Sequence, residues 1–162
     1  MIRLAAILLI VLAAGCVGAQ GTPVIQTFER PLGGPNGRNT ALPGTGVIII
    51  DPEADDPAAV WAQEYYEVQT KVTPDGYRRY VTDAAHRRAV EIMGHEIEVH
   101  VAVAYYGADE RRRRHREARS LALYEDFEGI GAPEIRRLMR LRRAEALAWI
   151  AAHRSEIEAR VR

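Results

Sequence analysis

Between Thr82 and Tyr106 the chain reads TDAAHRRAVEIMGHEIEVHVAVAYY, with no proline, one glycine and apolar residues at helical spacing on two sides at once. On a helix of about 3.6 residues per turn, Val90, Met93, Ile97, Val101 and Ala104 make one apolar face, while Ile92, Val99, Val103 and Tyr106 make a second face nearly opposite. A helix with two such faces needs structure packed against both, so this segment is expected at the middle of the fold. Thr82 is a candidate N-cap, and Gly107 a candidate stop. Between the faces runs a narrow stripe of Glu91, His95 and Glu98, and on the other side lie Glu96 and His100. Charges enclosed in this way require partners, because an unpaired buried charge costs several kcal/mol. Arginines, hydrogen bonds or a metal ion could supply them. Arginine is plentiful, since Lys71 is the only lysine among 22 basic residues.

The chain begins MIRLAAILLIVLAAGC, in which Arg3 precedes an apolar run too short to span a bilayer as a resident helix. This reads as an export signal over residues 1–15. Its end, Leu12-Ala13-Ala14-Gly15-Cys16, resembles the bacterial lipobox, and the resemblance implies lipidation of Cys16 and anchorage to a membrane on the periplasmic side of the cell envelope. A second cut is readable after Ala19, following Val17-Gly18-Ala19, and would discard Cys16. Cys16 is the sole cysteine, which excludes an intramolecular disulfide and a cysteine-rich zinc site. Residues 16–45 are rich in Gly, Pro, Asn and Thr and read as a tether, with Val24 to Phe28 a candidate short strand.

Residues 46–162 are expected to form one globular domain of the α+β class, predominantly α-helical: short strands, then about four helices. Val47 to Ile50 is a β-branched run bounded by Gly46 and Asp51-Pro52. Asp55 and Asp56 before Pro57 open a helix running to about Val72, and Thr73-Pro74-Asp75-Gly76 reads as a turn. A third helix is expected over about Ala108 to Phe127. A last one is expected from Pro133 nearly to the C-terminus, with Ile135, Leu138, Met139, Leu141, Ala144, Leu147 and Ile150 as its apolar stripe.

Charge divides along the chain. Residues 16–110 hold 14 acids against 7 bases, and residues 111–162 hold 8 acids against 14 arginines. The run Arg111-Arg112-Arg113-Arg114-His115-Arg116 could meet anionic lipid headgroups or an envelope partner, but the acids around it favour a solvated face paired to the acidic half, and nucleic acid is an unsuitable partner for an exported chain.

Few catalytic signatures are present. His95 and His100 are five residues apart and about 140° offset, so they cannot share a metal as the two histidines of H-E-x-x-H do. No Gly-x-Ser-x-Gly, phosphate loop or dinucleotide fingerprint occurs. The order of a strand at Val47 to Ile50, a helix carrying Trp61-Ala62-Gln63-Glu64-Tyr65-Tyr66-Glu67 and a second helix carrying Glu91 and His95 resembles the minimal zincin metallopeptidases. That resemblance covers residues 46 to about 106. It implies that Gln63 and Glu67 stand where the two zinc histidines belong, Glu64 where the general base belongs, and Glu91 or His95 near the third ligand. Gln63, Glu67 and Glu91 are an oxygen-rich set suited to calcium, magnesium or manganese rather than zinc. The expectation is a degenerate or weakly metal-binding zincin-like domain, with a divalent ion as the only implied cofactor. The alternative is a non-enzymatic structural or adaptor lipoprotein whose Arg-rich helices bind a partner or headgroups.

Overall fold

The structure is a computed structural model, and it describes residues 25–29, 40–41, 46–51 and 54–161. Cys16, the export signal and most of the expected tether lie outside the described residues. The fold is α+β and predominantly helical, as the sequence implies.

Four β-branched residues make β3 (Val47–Ile50) the central strand of a small sheet, with order β1-β3-β2. Strand β1 (Gln26–Glu29) pairs with it in parallel, Gln26 opposite Val47, and β2 (Thr40–Ala41) pairs antiparallel, Thr40 opposite Ile49. Both flanking strands come from the segment read as tether. The sheet rests on α1 (Pro57–Lys71), fastened by a 2.9 Å hydrogen bond from Trp61 Nε1 to Thr27 Oγ1.

Helix α1 begins at Pro57 as expected, but the Asp56 carboxylate does not cap it. The Tyr106 hydroxyl accepts from Ala58 N at 3.1 Å instead, and Asp56 is drawn into an ion pair with Arg113. Residues 73–76 are the start of a helix, not a turn. Thr73 Oγ1 accepts from Gly76 N at 3.1 Å and Pro74 takes the first position of α2 (Pro74–Thr82). Asp83 rather than Thr82 caps α3 (Ala84–Tyr106), accepting from His86 N at 2.9 Å, and Gly107 ends it in the left-handed conformation, φ 68°.

Helix α3 is the axis of the molecule. Met93, Ile97 and Val101 pack with Ile48, Trp61, Val68, Ala146 and Ile157 in one core. On the other side, Ile92 and Val99 pack with Ala118, Leu121, Phe127, Ile135 and Met139 in a second. Both faces read from the sequence are thus covered, except that Tyr106 joins the first core and Ala104 is exposed.

The third and last expected helices are subdivided. Helix α4 (Glu110–Leu121) ends early and a 3-10 turn (Glu125–Phe127) follows. The last becomes α5 (Ala132–Leu141), α6 (Arg143–Ala152) and α7 (Arg154–Glu158). At Arg142 the backbone tightens to an i to i−3 hydrogen bond, Arg142 N to Met139 O at 2.9 Å. The physical reason is that two cores flank α3. The break lets Ile135 and Met139 serve one core and Ala146 and Ile150 the other, and it leaves Leu141 and Leu147 of the expected stripe exposed.

Candidate functional site

The seam between the two cores is polar. Helix α1 enters it with Gln63, Glu64, Glu67 and Lys71, α2 with Tyr80, α3 with Glu91, His95 and Glu98, and α4 with Arg113 and Glu117. All except Tyr80 are buried. Close approach of α1 and α3 is possible because residue 94 is glycine. A Cβ there would lie 3.0 Å from Glu67 Oε1 and 3.2 Å from Gln63 Cγ.

Four of the residues implied by the zincin resemblance, Gln63, Glu67, Glu91 and His95, do come together. Gln63 Nε2 donates to Glu67 Oε1 at 3.0 Å and lies 3.4 Å from His95 Nε2. Lys71 Nζ donates to Glu67 Oε2 at 2.6 Å and stands 3.8 Å from Glu91 Oε1. The Tyr80 hydroxyl donates to Glu91 Oε1 at 2.5 Å, and the Lys71 ammonium lies 4.0 Å from the Tyr80 ring centroid. Glu64 is buried within reach of the Lys71 charge.

Zinc does not fit this arrangement. Gln63 turns its amide nitrogen, not its oxygen, towards Glu67 and His95, and a nitrogen that donates cannot ligate. Both oxygens of Glu67 are engaged, one by Gln63 and one by Lys71. The positive charge between Glu67 and Glu91 is an ammonium of the chain itself.

Further along the stripe, His95 Nδ1 lies 3.1 Å from Glu117 Oε2 and 3.4 Å from Glu98 Oε2. These three residues bring one nitrogen and two oxygens within 4.8 Å of one another, a set that could hold a cation. Arg113 already pairs their other oxygens. It donates to Glu98 Oε1 at 2.5 Å, its Nε lies 2.9 Å from Glu117 Oε1, and it pairs with Asp56. The seam is therefore a relay of carboxylates bridged by Lys71 at one end and Arg113 at the other, with His95 between them.

The environment shifts several of these groups. Burial opposes charge on His95, but the hydrogen bonds to Glu117 and Glu98 outweigh it and hold the imidazole well above its ordinary value. Burial also works against an ionised Glu117, yet its bond to His95 keeps it below the usual carboxylate range. Glu91 is pushed up, first by burial and then by the Glu67 carboxylate. Burial disfavours the Lys71 ammonium, and Glu67 and Glu91 overcome that and raise it.

Glu96 and His100 form a separate latch. Arg114 grips fully buried Glu96 with two bonds, Nε to Oε2 at 2.9 Å and a second nitrogen to Oε1 at 2.6 Å, and His100 Nε2 lies 3.0 Å from Glu96 Oε1. His95 and His100 thus belong to different clusters, as their angular offset requires. Within the run 111–116, Arg113 and Arg114 are buried and paired to the acidic half, so the expected solvated face is confined to the outward residues.

Tyr80, Asp56 and Glu117 were not readable as site residues. Tyr80 lies on α2, whose first residues alone, Thr73 to Gly76, are read from the sequence, as a turn, although Thr73 followed by Pro74 is also a helix-start pattern. Comparison with known family models, curated proteins and solved structures finds no match.

Proposed function

We propose that the chain is an exported lipoprotein, anchored to the envelope through Cys16, whose zincin-like helix pair is a catalytically silent scaffold. The observation that supports this most is the ammonium of Lys71, 2.6 Å from Glu67 and 3.8 Å from Glu91. In the zincin resemblance those residues surround the metal, and here a side chain provides the positive charge. Glu64, at the general-base position, then has no metal-bound water to activate. The role left to the domain is non-catalytic, that of a rigid body presented at a membrane surface.

Two measurements test this reading. Elemental analysis of the purified full chain should find less than stoichiometric zinc, and a casein digest should show no peptide release; one zinc per chain with hydrolysis would overturn the proposal. Intact mass of the mature protein should correspond to an acylated chain beginning at Cys16. An unmodified chain starting at Gln20 would remove the anchor.

A further inference from the structure

Arg113 and Arg114 of the basic run have carboxylate partners, but Arg111 of α4 and Arg136 and Arg140 of the neighbouring α5 do not. An open cleft of about 610 Å³ between α4 and α5 is lined by Asp109, Glu110, Arg111, Arg114, Arg136 and Arg140. Its two acids are already committed. Asp109 caps α4 by accepting from Arg112 N at 2.7 Å, and Glu110 pairs with Arg114 at 2.9 Å and Arg143 at 3.6 Å. Arg114 is held by Glu96. Among the described residues, Arg111, Arg136 and Arg140 have no carboxylate within 4.0 Å, while acids and bases are equal in number over the whole chain.

Arg136 makes the deficit plain. Its Nε is buried without a hydrogen-bond partner, and its one polar contact is a terminal nitrogen 3.3 Å from His115 Nδ1, which supplies no carboxylate. The cleft's two acids, Asp109 and Glu110, lie within 4.0 Å of none of these three guanidinia, so Arg111, Arg136 and Arg140 line one cleft without a paired counter-charge.

We propose that the cleft between α4 and α5 is a binding site for a phosphate-bearing anion, held by Arg111, Arg136 and Arg140. Guanidinium forks match phosphate oxygens with paired hydrogen bonds, and each bond to a charged group is stronger than a neutral one. The cleft is larger than a single phosphate, so it has space for a pyrophosphate or for a phosphodiester headgroup. The site stands on these arginines alone and does not depend on the zincin-like reading or on lipidation.

Calorimetric titration of the full chain with inorganic pyrophosphate at low salt tests it. One-to-one binding is expected, and Arg111→Gln/Arg140→Gln, which removes one exposed cation from each helix, should weaken it about tenfold or more. Arg136→Gln is a second variant expected to act in the same direction. The charge-matched control Arg78→Gln/Arg79→Gln on α2 should change affinity by less than about twofold. Absence of binding, or equal weakening by the control, would overturn the site as a specific one. A parallel titration with a soluble short-chain phosphatidylglycerol separates the two sources: tighter binding of the lipid assigns the cleft to a membrane headgroup, and tighter binding of pyrophosphate to a soluble phosphate.

Discussion

Lys71 holds two carboxylates apart from each other's repulsion in a place that water barely reaches, so its removal tests whether the seam is as closed as it looks. Lys71→Ala strands Glu67 and Glu91 together, and breaking a buried pair from one side costs about 3–5 kcal/mol. Urea unfolding should show a loss of that order, whereas Arg78→Ala, whose pair with Asp75 is exposed, should lie within about 0.5 kcal/mol of wild type. A small loss for Lys71→Ala would mean that water enters and screens the carboxylates. Much of this seam is readable from residue spacing alone. The stripe Glu91, His95 and Glu98 between two apolar faces announces that counter-charges are needed, and Lys71 shares the polar side of α1 with Gln63, Glu64 and Glu67. Arg113 is harder to single out, because the run 111–116 is basic at every position and only the rotation of α4 decides which members turn inward. A signal for that rotation existed in Ala118 and Leu121, which stand at helical spacing from Arg114 and are fully buried with it against α3.

The crossing of α1 and α3 depends on a missing side chain. Replacing a mid-helix glycine with alanine ordinarily stabilises a helix by about 1 kcal/mol through propensity. At Gly94 the added carbon would sit 3.0 Å from Glu67 Oε1, and that oxygen cannot easily retreat because Gln63 holds it at 3.0 Å while Lys71 holds its partner oxygen at 2.6 Å. We therefore expect Gly94→Ala to lower the melting temperature, with overpacking of about 1–3 kcal/mol outweighing the propensity gain. A higher melting temperature would show that the helices can separate without loss. The helices themselves divide into those whose limits are written locally and those whose limits are not. Pro57, Asp83 and Gly107 mark the ends of α1 and α3 by capping chemistry, and those limits agree with the reading to within a residue or two. The break at Arg142 has no proline or glycine beside it. It arises because the chain must cross from one core to the other, a demand that only the assembled fold imposes.

At the scale of the whole molecule, two apolar cores share α3 and the polar seam joins the elements around it. His95 is the centre of that joint, touching Gln63 of α1 and Glu117 of α4 from its position on α3. Its proton therefore bears on how three helices hold together. The folded state binds that proton more tightly than the unfolded chain does, because Glu117 and Glu98 outweigh burial. The stabilisation is complete below the ordinary imidazole value of about 6.5 and is lost as pH rises through the folded value, which lies well above it. Glu91 acts with the same sign, since its raised carboxyl also loses, as pH rises, a proton that folding favours. On the acid side the sign reverses. Glu117 and Asp126, both lowered by their cationic partners, withdraw their support as pH falls through their folded values. Stability should consequently decline on both sides of a maximum, with His95 and Glu91 both contributing to the fall as pH rises. Urea midpoints measured from about pH 6.5 upward should fall in the wild type and fall less steeply in His95→Gln, which begins less stable and lacks the imidazole proton. Parallel alkaline limbs in the two proteins would place the titrating group elsewhere and leave His95 as a neutral member of the seam.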